Sequence, residues 1–140
     1  MLALRDAEVT RSPYAGEVET NVITGEIVRA AMTVHSALGP GLLESAYRIC
    51  LAHELTKRGL QVIQEKPVQI RYDGVILCTA FRADLLVEDR VLVELKAVEK
   101  MRSLYQSQLL SYLKLSELRT GLLINFNVRH LRHGIKRMVR

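Results

Sequence analysis

Tryptophan is missing from this 140-residue chain, cysteine occurs twice and proline three times. The two cysteines, Cys50 and Cys78, form no C-x-x-C pair and are too few for a disulfide scaffold. Both read as reduced, buried, small hydrophobes in a reducing compartment. No stretch approaches the roughly 20 apolar residues that a membrane-spanning helix needs. The first ten residues carry Asp6 and Glu8, unlike a secretory signal. A cytoplasmic protein without a membrane partner is therefore expected. The histidines His35, His53, His130 and His133 have no zinc-site spacing. Neither a Gly-x-Ser-x-Gly elbow nor a phosphate-loop motif occurs, and Leu38-Gly39-Pro40-Gly41 is a helix break rather than a nucleotide loop. No internal repeat or low-complexity segment is found.

What is present describes a folded domain. Apolar residues make up 49% and charged residues 25% of the chain, too apolar for disorder. Twenty Lys and Arg oppose 15 Asp and Glu, a net charge of +5, and the isoelectric point is about 9.5. That balance favours polyanions such as nucleic acid, an anionic surface or an acidic partner. From Arg129 to Arg140 there are five Lys or Arg, two His and no acid. The run is either a solvated edge strand or a phosphate-binding strip.

Residues 1–19, with Pro13 and Gly16, show no period and read as a loose arm before a single domain at 20–140. Helical spacing of Ile23, Ile27, Ala30, Ala31, Val34 and Leu38 predicts a helix over Asn21–Leu38. A second helix is expected from Leu42 to Arg58, with Leu43, Tyr47, Cys50, Leu51 and Leu55 inward and Gly59 as its stop. Strands follow at Gln61–Gln64, closed by Pro67, and at Val68–Tyr72 and Val75–Phe81 around the hairpin pair Asp73-Gly74. Ala83–Val87 continues the last of these, and Arg90–Val98 is the next. Ser103-Leu104-Tyr105-Gln106 reads as a capping box opening a third helix, Leu104–Leu115. Gly121–Phe126 and Gly134–Val139 are the last strands. This order makes an α/β or α+β sandwich, a mixed sheet covered by helices.

The chemistry concentrates in residues 82–96. A three-residue turn at Glu88-Asp89-Arg90 would pair Val87 with Val91, Leu86 with Leu92 and Asp84 with Glu94. Directly opposed residues have Cβ atoms about 5 Å apart, and Lys96, two residues on, shares the face of Glu94. Two carboxylates that close repel unless a cation neutralises them. Mg²⁺ suits one or two carboxylates with water and phosphate completing its shell, and a neighbouring lysine could position the attacking water. That is equipment for metal-assisted phosphodiester hydrolysis. The plainer alternative is an exposed cross-strand salt bridge. Gln108 and Tyr112 share a helix face with Leu104, Tyr105 and Leu115. Gln108 could orient water or contact a nucleic-acid backbone, or be an amide at the core rim; Tyr112 reads more as packing. Glu44, at the start of the second helix, is either a helix N-terminal charge or a further metal or water ligand. Glu54 reads as solvated.

At these residues the chain resembles the GxxExxY family of the PD-(D/E)XK nuclease superfamily. The naming motif is Gly41-Leu42-Leu43-Glu44-Ser45-Ala46-Tyr47. The likeness extends through Val34–Gly41, Arg82-Ala83-Asp84, Val93-Glu94-Leu95-Lys96-Ala97-Val98, Gln108–Leu113 and Gly121–Phe126, about residues 20–140. It implies a restriction-endonuclease-like α/β core, with a central mixed sheet of about four strands flanked by helices. It further implies Asp84, Glu94 and the backbone carbonyl of Leu95 as ligands of Mg²⁺, for which Mn²⁺ would substitute. Lys96 would position water, Glu44 would match the acid of the leading helix, and Gln108 and Tyr112 would match a Q-x-x-x-Y element. The expected function is a metal-dependent nuclease acting on DNA. The alternative is a non-catalytic nucleic-acid- or partner-binding module on the same fold, and a homodimer or protein partner stays open.

Overall fold

A computed structural model describes residues 17–140, the side chains of 17, 18, 79 and 80 apart. Helix α1 (Glu17–Leu38) begins four residues before the predicted start. The expected loose arm thus lies outside the described residues except at 17–19, which belong to α1. Ile23, Ile27, Ala30, Ala31 and Val34 are buried as one stripe, while Leu38 at the helix end is partly exposed. Helix α2 (Glu44–Lys57) buries Tyr47, Leu51, Ala52 and Leu55. Leu43, placed inward from its spacing, precedes the helix as its extended N-cap and is 78% exposed. Among the described residues no helix is long and apolar enough to cross a membrane.

Five strands form one sheet in the order β1-β2-β3-β4-β5. They are β1 (Val62–Tyr72), β2 (Val75–Val87), β3 (Val91–Lys96), β4 (Thr120–Asn125) and β5 (Ile135–Val139). Neighbours are antiparallel except β3 and β4, which run parallel and are joined by helix α3 (Ser103–Leu115). A parallel pair requires such a crossover. The architecture is α/β with a mixed sheet flanked by helices, as expected, the first two expected strand segments being one strand, β1.

Pro67 does not end a strand. β1 runs through it, opposite Arg82, because β1 lies at the sheet edge, where a missing N–H costs no bond to a second neighbour. At the tip, Asp73 and Gly74 both have positive φ, 47° and 80°, the conformation that a two-residue hairpin loop demands.

Each sheet face carries its own core. Leu85, Val87, Val91, Val93, Leu95, Leu122, Ile124 and Phe126 pack with α1 and α2. Ala83, Leu86, Leu92, Leu123 and Met138 pack with Leu109, Tyr112 and Leu113 of α3. Burial on both faces explains why β3 and β4 read as unbroken apolar runs. Three local expectations fail. Cys78 is exposed and Cys50 only half-buried, since Cys78 lies on the far reach of the β1–β2 hairpin, among exposed Val75, Ile76 and Leu77. No side-chain cap forms at α3, which starts after Arg102, so the expected capping box is absent. Glu54, expected to be solvated, is half-buried and paired: its carboxylate accepts from Arg58 Nε at 3.0 Å.

Candidate active site

Three adjoining pairs, Leu85–Val93, Leu86–Leu92 and Val87–Val91, close the β2–β3 hairpin. Glu88 and Asp89 both have φ of 53°, and Arg90 N–H donates to Val87 O at 3.0 Å, so the turn is three residues long. Buried Glu88 also accepts from Gln61 N–H at 2.7 Å, tying the turn to the start of β1.

Beyond Leu85 and Val93, side chains take over from the backbone ladder. Glu94 Oε1 accepts from Asp84 N–H at 3.0 Å, and Asp84 Oδ2 accepts from Leu95 N–H at 2.8 Å. Each carboxylate thus spends one oxygen on the opposite strand. Neither forms an ion pair within 4 Å among the described residues. Burial raises the Asp84 carboxyl above its ordinary value; the Leu95 N–H opposes this, Glu44 adds to it, and Lys96 and Arg48 lower it. Glu94, 9% exposed, is pushed up to about 8, by burial first and by the Asp84 charge second. A buried acid pair under such strain is a receptor for positive charge.

Lys96 ends β3, with its Nζ 4.4 Å from the centre of the Tyr105 ring on α3. The aromatic face holds the ammonium beside the acids without neutralising it. Tyr112, one helical face with Tyr105, is 8% exposed, and its hydroxyl is shifted upward by burial and by the nearby charges of Glu94 and Asp84. Its ring packs at 5.4 Å on Phe81, so both packing and site proximity apply. Gln108, one turn earlier, is half-buried and makes no hydrogen bond to either carboxylate.

Glu44 acts on this centre through its charge, from the helix that covers the opposite sheet face. It is the first residue of α2, is exposed, and its charge is felt by both Asp84 and Glu94. Its placement follows from the rest of its motif. Gly41 has φ of 101°, which favours glycine. Tyr47, fully buried, donates to Gly39 O at 2.6 Å and accepts from Leu42 N–H at 3.1 Å, closing the turn before Glu44. Its ring stacks on Phe126 at 4.5 Å. The glycine, acid and tyrosine of the motif are thus a turn, a charge and the bolt that holds the turn.

Two further residues belong to this centre and escaped the sequence reading. Arg48, one turn after Glu44, lowers the Asp84 carboxyl and is held by Gln64 Oε1 at 2.6 Å and Glu65 at 3.9 Å. Its four-residue spacing from Glu44 was the available signal. Asn125, 2% exposed and opposite Lys96, accepts from Val98 N–H and Asn127 N–H, each at 3.1 Å, and donates to Val98 O at 2.9 Å. It fastens the exits of β3 and β4 together. One amide inside the apolar run Gly121–Phe126 was its signal.

The donor chemistry fits a hard divalent cation. Asp84 and Glu94 each keep a second oxygen outside these bonds. No group of three or more His, Cys, Asp or Glu side chains that could hold a metal occurs among the described residues, so Glu44 stands apart from any such seat. Mg²⁺ needs only one or two carboxylates, because water and phosphate complete its octahedron.

No curated protein and no solved structure matches the chain. A family model of the PD-(D/E)XK nuclease superfamily matches residues 21–138, and the chain accordingly belongs to that superfamily.

Proposed function

We propose that the protein is a Mg²⁺-dependent nuclease that hydrolyses phosphodiester bonds in DNA, with Asp84, Glu94 and the Leu95 carbonyl as the cation's seat. The observation that carries this reading is the Asp84–Glu94 pair, each carboxylate bonded to a backbone N–H of the opposite strand, with the Lys96 ammonium held on Tyr105. A structural salt bridge is the competing explanation for such a pair. It would bring a cation within 4 Å of one carboxylate, and none stands there among the described residues.

When bound, the cation offsets the negative charge that develops on the non-bridging and leaving oxygens of the reacting phosphate. The chain's own groups do the rest. Lys96, restrained on Tyr105, donates hydrogen bonds toward the attacking water and holds it in line with the phosphorus. The bond from water oxygen to phosphorus forms as the bond to the leaving oxygen breaks; the attacking water gives one proton to the surrounding water and the leaving oxygen takes one from it, so the step is proton-neutral overall. Gln108 and Tyr112 orient water or the strand from α3, and Glu44 offers a second acceptor from α2.

Purified protein should cut DNA with Mg²⁺ or Mn²⁺ and stop on addition of chelator. Cleavage that survives chelation in the wild type and in Asp84→Asn would overturn the assignment.

A further inference from the structure

The basic stretch 129–140 divides in the fold. Arg137 bonds Thr24 Oγ1 at 3.4 Å and Arg140 bonds Leu118 O at 2.6 Å, both as surface ties. Arg129 and Arg132 instead border an open cleft of about 430 Å³, with His130, Leu131, and Met32, His35, Ser36, Gly39 and Pro40 of the α1 end. No carboxylate lines this cleft, and none occurs from Ala30 to Leu43 or from Phe126 to Arg140. Arg29, Arg48 and Arg58 on the helices are all paired with glutamates, whereas Arg129 and Arg132 are exposed with no carboxylate partner among the described residues.

The segment bearing these arginines is anchored. Leu131 is 3% exposed in the core, and the His35 ring Nε2 meets Val128 O at 2.8 Å, where the ring must donate. The cleft lies toward the end of the sheet that carries Lys96. Gly39 at its rim is held by Tyr47 of the Glu44 motif. Asn125, opposite Lys96, is four residues before Arg129, a reach of at most about 14 Å. At about 3.4 Å of rise per nucleotide along one strand, that is within about four nucleotides of the Lys96 end of the sheet.

We infer that this cleft binds a backbone phosphate of the nucleic-acid strand entering the Asp84–Glu94 centre, with Arg129 and Arg132 as its cations; the inference rests on the nuclease reading of that centre. A guanidinium pair without competing carboxylates is suited to phosphate oxygens. Contacts of this kind set the position of the strand and carry no base preference.

The test is fluorescence-anisotropy binding of labelled single-stranded DNA, duplex DNA and RNA in chelator, across a salt series. The proteins are the wild type, Arg129→Ala/Arg132→Ala and Arg129→Lys/Arg132→Lys, with melting curves to verify folding. The alanine pair should weaken binding alike across sequences and flatten the log–log salt dependence by about one unit per lost contact. The lysine pair should recover most of the slope. Unchanged affinity and slope in the folded alanine pair would overturn the inference, as would failure of the wild type to bind any of the three probes at low salt. A flattened slope in a protein that cuts none of them with Mg²⁺ would sustain the phosphate cleft and remove the nuclease reading.

Discussion

Asp84 and Glu94 hold each other's strands: the Glu94 carboxylate accepts the Asp84 N–H, and the Asp84 carboxylate accepts the N–H that follows Glu94. The two acids are therefore framework and candidate ligands at once. Replacing Asp84 by Ala would orphan the Leu95 N–H, at a cost of about 1–3 kcal/mol in the metal-free protein. Asp84→Asn keeps an acceptor there and is the cleaner probe. Its melting temperature should stay near that of the metal-free wild type but no longer rise with Mg²⁺ or Mn²⁺. Persistent stabilisation by metal would place the ion elsewhere.

The pH dependence follows from Glu94. Its carboxyl titrates near 8 in the fold against an ordinary 4.5, so the folded state favours the protonated form. The associated stability is full below about 4.5 and is lost as pH rises through the folded value near 8. Asp84, raised as well, acts in the same direction. Metal-free protein should consequently lose stability toward pH 8, on the order of a few kcal/mol, and Glu94→Gln should flatten that loss. Denaturant titrations at several pH values check it; an equal loss in the variant would refute it.

Because a cation needs the ionised pair, its binding should release protons below about pH 8. Calorimetry in buffers of different ionisation enthalpy measures the release. Affinity should climb with pH and level off near 8, whereas a flat profile would mean that the pair is already ionised.

Lys96 should behave differently from the acids. In Lys96→Ala metal binding persists while the cleavage rate falls roughly 10²-fold or more, the scale of a positioning group. Tyr105→Leu, which removes only the ring under the ammonium, should have a smaller effect, and Gln108→Ala should be mild. Single-turnover cleavage with metal affinity measured in parallel separates these cases. Full activity in Lys96→Ala would point to a contaminating nuclease.

Much of this centre was legible in the residues because strand geometry is periodic. The count of three turn residues gave the partners Val87–Val91 and Leu86–Leu92; the ladder stops at Leu85–Val93, and the expected pairing of Asp84 with Glu94 is replaced by side-chain bonds to the opposite backbone. What was hidden depends on neighbours distant in the chain. Pro67 sits within a strand because β1 is an edge, a fact of sheet order and not of local sequence. Tyr47 read as core from its spacing, while its hydroxyl closes the turn before Glu44. The contact of His35 with Val128 joins residues 93 apart in the chain, beyond any periodicity.

Tyr47→Phe isolates that turn. The ring and its stacking on Phe126 remain, while two hydrogen bonds to Gly39 and Leu42 go. The loss should be about 1–3 kcal/mol, read as a lower urea midpoint with an unchanged slope. Wild-type stability in this variant would assign the tyrosine to packing alone.

A crystal soaked with Mn²⁺ and examined at a wavelength where manganese scatters anomalously tests the central claim most directly. The account predicts one ion touching both the Asp84 and the Glu94 carboxylate, close to the Leu95 carbonyl and near Lys96, at about 2.0–2.2 Å from its oxygens, the range of small hard divalent cations. An ion bound elsewhere, with the Asp84–Glu94 pair left unliganded at saturating Mn²⁺, would contradict it.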